Sequence, residues 1–374
     1  MTALAWEQVR AWRARRHGLD TRAPASELLA VASRLCGVHA QLMGSAELTL
    51  WARLEGLDRE AVATALWEDR TLVKTWAMRG TLHLLPAGEL GLWLAGTSTF
   101  DHFLKPAWFK AFEITEPQLL ELIDAVADAL EGEPLTRAEL AHAVVERTGD
   151  EGLRAKLGQG FGAYLKPVAF RGRLCFGPGD GQKVRFTRPD VWLGHAVHGP
   201  EPEEALREIA RRYLAVHGPG TREDFQRWWS RAVSPAAAGW ILRSVEDAEE
   251  VEVDGEALWM LAADAREAAT LGPAEGVRLL PAFDQYVVAA TKHAGRFLPG
   301  DLADRIYRPQ GWLSPVLLVD GVMAGIWRHE RKGSRLSVEV EPFGRLAKAR
   351  RAEVEAEAER LAAFLGGELA LAYA

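Results

Sequence analysis

The segment RLCGVHAQLMGS, residues 34–45, holds two side chains able to do chemistry together, His39 and Gln41, set between Gly37 and Gly44. On a helix, residues two apart point about 200° apart, but on extended chain they share a face, so both could address one ligand while Ala40 turns away. An imidazole accepts a proton and a carboxamide oxygen orients a water molecule. Together they form a modest hydrolytic set, sufficient where the leaving group is already activated. The same two residues could instead satisfy backbone groups at the end of the preceding helix.

Other catalytic fingerprints are missing. The chain has no G-x-x-x-x-G-K-[ST], no H-E-x-x-H, no G-x-S-x-G, no paired C-x-x-C and no dinucleotide-binding glycine set. Neither a cofactor nor a metal site is expected, since the ten His are dispersed and the two Cys, Cys36 and Cys175, have no metal-type spacing. Both cysteines read as small core residues.

The 374 residues, 48% hydrophobic with fourteen Trp, imply several packed domains. No apolar run is long enough to span a membrane and the N-terminus lacks a signal-peptide centre, so a cytoplasmic protein without membrane contact is expected. The net charge of −7 argues at first against a nucleic-acid partner. Its distribution argues otherwise. Residues 153–188 hold eight basic side chains against Asp180 alone, whereas residues 113–151 hold eleven acidic and two basic. Such segregation fits one face turned toward a polyanion, or else well-solvated surface.

Turn-rich stretches place boundaries near residues 110, 198 and 272, giving units 1–110, 111–198, 199–272 and 273–374. In each of the first three, amphipathic helices precede a short β-hairpin. Ser26, Asp58, Thr136 (with Glu139) and Thr221 read as helix N-caps, and Asp254-Gly255 as a hairpin turn. A further helix is expected through Phe161 to Leu165, followed by two strands around the glycine-rich residues 177–181. Helix, turn, helix and hairpin make a winged helix, so the expected fold is α+β, three tandem winged helices followed by a C-terminal β-barrel. That barrel is read from strands in VRLLPAFDQYVVAAT, in the runs flanking Asp320-Gly321 and in SRLSVEVEPF, with a closing helix ending at Gly366.

RLCGVHAQ, then TWAMRGTLHLLP (75–86), LLPAFDQYV (279–287) and YRPQGWLSPVLLVDGVMAGIWR (307–328), resembles the winged-helix DNA glycosylases of the AlkZ and YcaQ type, over nearly the whole chain. The resemblance implies a C-shaped channel for duplex DNA and hydrolysis of the N-glycosidic bond of alkylated purines, including bulky N7-guanine adducts and interstrand crosslinks. It also implies, for some members, self-resistance to a DNA-alkylating natural product. The family's motif, Gln-x-Gln or Gln-x-Asp, falls on His39-Ala40-Gln41, with His in place of the first Gln.

On this reading His39 and Gln41 are catalytic, no cofactor takes part, and the partner is double-stranded DNA carrying alkylated purines, bound by a monomer. Arg79, Lys166, Arg171, Arg173, Arg185 and Arg188 are the candidate phosphate contacts. Trp76, Trp312 and Trp327 are expected in the core, and Asp284 as a buried cap. The competing reading is a winged-helix regulator or damage sensor that binds DNA without chemistry.

Overall fold

The computed structural model describes residues 2–158, 162–180, 183–290 and 293–374. The fold is α+β. Helices followed by a small sheet recur three times along the chain, and a larger sheet with a covering helix ends it.

Local sequence accounts for many of the boundaries. Thr136 Oγ1 accepts from the Glu139 amide while the Glu139 carboxylate accepts from the Thr136 amide at 2.7 Å, and Thr221 with Asp224 builds the same reciprocal cap. In the helix Pro202–His217, Ala205, Ile209, Tyr213 and Val216 fall on one face and are buried. Asp254 and Gly255 both take the left-handed conformation of a tight hairpin turn between strands 248–253 and 256–261. Ser26 departs from its expected role. It is exposed, and Pro24 starts a short 3-10 turn so that the helix begins only at Leu28, without a side-chain cap. Asp58 accepts from the Glu60 amide at 2.8 Å, one turn ahead of the helix Ala61–Trp67.

Among the described residues three small sheets have three strands each, and a two-stranded one pairs 23–24 with 54–55. In the first, 72–76 and 82–86 form a hairpin and 38–39 pairs with its inner strand. In the second, 135–136 joins the hairpin 175–180 and 183–187, whose tip residues 181–182 lie outside the described residues. Phe161 lies outside them too, and the helix near it runs Lys166–Phe170. In the third, the N-terminal strand 3–4 pairs in parallel with 252–253, so the start of the chain is bound into the sheet of residues 248–261.

The C-terminal sheet corrects the barrel expectation. Its order is 277–280, 316–319, 322–332, 335–342 and 368–373, and among the described residues the two outer strands do not pair with each other. Two features keep it open. Pro281 ends the first strand after four residues, and Asp284 then caps a helix, Gln285–Ala289, where continued strand was expected. The helix Lys348–Leu365, ending at left-handed Gly366, packs against both the first and last strands and occupies the face that closure would enclose. The final strand, absent from the sequence reading, runs parallel to 335–342.

Candidate active site

Strand 38–39 exists because the chain reverses sharply after the helix Leu28–Arg34. Cys36 and Gly37 are both left-handed, and a Cβ on Gly37 would sit 2.6 Å from the Leu85 side chain and 3.2 Å from the Leu84 carbonyl. His39 then pairs directly opposite His83, and the Ala40 amide extends the pairing by donating to the Leu82 carbonyl at 2.7 Å. From the C-terminal unit, Gln285 donates to the Gly37 carbonyl at 2.6 Å and clamps the turn two residues ahead of His39.

Beneath that clamp lies a buried ion pair. Arg53 grips Asp284 through both guanidinium nitrogens, at 2.7 and 2.8 Å, with both side chains fully buried. Arg53 also donates to the His17 and Thr49 carbonyls, and Asp284 caps its helix by accepting from the Tyr286 amide. Asp284 is therefore the buried cap its position suggested, and it ties the helix Gln285–Ala289 to Arg53.

His39 lines a cavity of about 830 Å³. His39 is 5% exposed, and its ring stacks on Phe283, with centroids 4.9 Å apart and planes 18° from parallel, while His83 meets it edge-on at 5.5 Å. Phe283 holds a left-handed backbone (φ 62°), a strained conformation for a bulky residue. His39 Nδ1 is buried without a hydrogen-bond partner. Burial, with the nearby Arg79 charge adding to it, pushes the imidazole down to about 3, so the ring is neutral at physiological pH and binds a proton only weakly.

Arg79 and His83 are fixed to one another. His83 Nδ1 faces the Thr81 carbonyl at 3.0 Å, which makes Nδ1 the protonated nitrogen and leaves Nε2 to accept from Arg79 at 3.3 Å. Arg79 also donates to the Trp228 carbonyl at 2.5 Å. The cavity wall continues with Lys166, Arg227, Arg231 and Arg308, none of which has an ion-pair partner among the described residues. Asp224, the single carboxylate among the described lining residues, is engaged by His293 at 3.0 Å and by Thr221. Burial opposes its charge, but those hydrogen bonds outweigh it and hold Asp224 at about 2. The result is a concave, cationic surface around a neutral, unpartnered imidazole. Among the described residues no three His, Cys, Asp or Glu gather as metal donors.

Residues 32–364 match the family described as DNA glycosylase AlkZ-like. The chain belongs to that family. The interstrand DNA cross-link repair glycosylase of Streptomyces sahachiroi is 39% identical over 327 residues, 86% of this chain and 87% of the relative. The solved structure of Streptomyces sahachiroi DNA glycosylase AlkZ superposes with a TM-score of 0.89 at 38% identity, covering 99% of each chain.

Within this AlkZ-like fold the expected site residues separate. Gln41 follows the strand's end at an exposed bend and is not among the residues lining the His39 cavity. Lys166 and Arg79 do line it. Arg171, Arg173 and Arg188 line a second cavity on other elements, where Arg173 is paired with Asp124 at 3.0 Å and Arg188 with both Asp190 at 2.6 Å and Glu131 at 3.1 Å. Arg171 lies over the Phe103 ring, and Arg185 lies on the strand 183–187.

Trp76 and Trp327 are core residues as expected, whereas Trp312 is 49% exposed at the cavity and meets Phe283 edge-on. Sequence reasoning missed Arg227, Arg231, Arg308 and Phe283. Two signals were available: the four-residue spacing of Arg227 and Arg231 at the end of a helix, and the position of Arg308 and Phe283 inside the segments that carried the resemblance.

Proposed function

We propose that this AlkZ-like chain hydrolyses the N-glycosidic bond of N7-alkylated guanine in duplex DNA, in repair or in self-protection against a DNA-alkylating natural product. Bulky adducts and interstrand crosslinks are the lesions that best suit it. The observation that carries the reading is the neutral His39 imidazole, with an unpartnered buried nitrogen, on a cavity rimmed by unpaired cations.

Alkylation at N7 leaves guanine positively charged, so it departs without an acid. The oxygen of water bonds to C1′ as the C1′–N9 bond breaks, and the bonding pair leaves with the base, neutralising its charge. The water proton passes to His39 and then to solvent. What the protein supplies is position and a place for that proton. Gln41, at the bend beyond the strand, orients the water through its carboxamide oxygen and comes into range as the sugar enters from the exposed side. Lys166, Arg227, Arg231 and Arg308 hold the phosphodiester backbone, an arrangement that calls for no metal or cofactor.

The three helix-plus-hairpin units are read as winged helices carrying the duplex along one side of a monomer. An unsatisfied buried nitrogen costs about 1–3 kcal/mol, and binding a water or substrate group removes that cost. The test is incubation with duplex containing N7-methylguanine. Free base together with an alkali-labile site supports the reading, and tight binding without release favours a regulator or sensor. Gln41→Ala is expected to abolish release while duplex affinity stays within a few-fold.

A further inference from the structure

Trp312, Phe283 and His39 form a ladder of ring contacts from the cavity to the buried strand, Trp312 meeting Phe283 edge-on at 5.1 Å and Phe283 stacking on His39 at 4.9 Å. The outer rung is unusual. An indole is a large apolar group, and one that is half exposed in a cavity has surface left to cover. Its backbone is nonetheless held firmly. Tyr307 bridges to Leu313, the Arg308 amide donates to the Trp312 carbonyl at 2.8 Å, and Gln310 takes a left-handed turn between them. Two non-glycine residues with positive φ thus belong to this arrangement, Phe283 at its middle and Gln310 two residues before Trp312. Strain of this kind persists where the surrounding fold holds a side chain in place for a task.

We propose that Trp312 and Phe283 form a stacking subsite for a planar aromatic substituent on N7 of the damaged guanine, a specificity element resting on the function proposed above. The geometry orders the ligand. The sugar must reach His39, the purine lies along the Phe283 step, and a group attached at N7 projects beyond the purine to the next step, the exposed Trp312 face. A planar ring stacks there, whereas a saturated ring of similar size makes only dispersion contacts. The unpaired guanidinium of Arg308, four residues before Trp312, stands ready to hold the phosphodiester beside it.

The probe is a pair of duplexes, each with one freshly installed guanine adduct, N7-benzyl or N7-(cyclohexylmethyl). Single-turnover release is measured for wild type, Trp312→Ala and Trp312→Phe. Stacking on an aromatic side chain is worth about 1–3 kcal/mol, so wild type should favour the benzyl adduct by about fivefold or more. Trp312→Ala should bring that ratio to near one, the loss falling on the benzyl substrate, and Trp312→Phe should restore most of it. A wild-type ratio near one overturns the subsite, as does an unchanged ratio in Trp312→Ala. An equal loss on both substrates also overturns it, since the shelf would then hold the purine itself. Failure of the underlying glycosylase reading looks different: wild type would release neither base.

Discussion

The imidazole of His39 and the phenyl ring of Phe283 lie nearly parallel, 4.9 Å apart, although they belong to segments some 240 residues apart in the chain. That contact covers one face of the histidine with hydrocarbon, and His83 closes on it edge-on. The stacked ring helps keep the imidazole dry and therefore neutral. His39 thus stays uncharged over the whole physiological range.

A pH profile follows directly. His39 accepts a proton only when neutral, and its burial holds it at about 3. Protonation therefore removes activity only well below pH 5, and the single-turnover rate should be flat from pH 8 to 5. A histidine with an ordinary value near 6.5 would lose about 30-fold by pH 5. The check is base release in a buffer series at constant ionic strength.

The buried Arg53–Asp284 pair makes a stability prediction. Asp284→Asn leaves a guanidinium without its counter-charge at a fully buried position, and the expected cost is about 3–5 kcal/mol. Replacing both partners by leucine should recover a substantial part of it, because the burden is the uncompensated charge. Urea denaturation midpoints of the single and double variants measure this.

Phosphate contacts can be separated from solvated charge by salt. Each of Arg227→Ala, Arg231→Ala and Arg308→Ala should lower the slope of log affinity against log salt by about one. Arg173→Ala and Arg188→Ala should change it little, since those guanidinium groups already face Asp124, Glu131 and Asp190. Fluorescence anisotropy with undamaged duplex between 50 and about 200 mM salt resolves the two groups.

What the sequence reveals here is set by the range of the interaction. The caps at Thr136 and Thr221 and the turns at Asp254-Gly255 and Asp320-Gly321 are legible because partner and signal lie within four residues. Arg173 and Arg188 show the opposite case, with partners that lie far along the chain. Arg188 meets Glu131 across 57 residues, so a local charge count sees the cation without its neutraliser. Arg227, Arg231 and Arg308 converge on His39 only through folding, and the exposure of Trp312 depends on a kinked turn, Pro309–Gly311, that looks like the lead-in to a core strand. The open C-terminal sheet was concealed in a similar way, by an apolar run interrupted at Pro281 and recapped at Asp284.

The most direct test is His39→Ala on a duplex carrying N7-methylguanine, with binding and single-turnover release measured side by side. Loss of a positioned proton acceptor should slow release by about 100-fold or more while duplex affinity stays within about threefold. Release within a few-fold of wild type would contradict the account, and the imidazole would then be no more than a packed wall of the cavity.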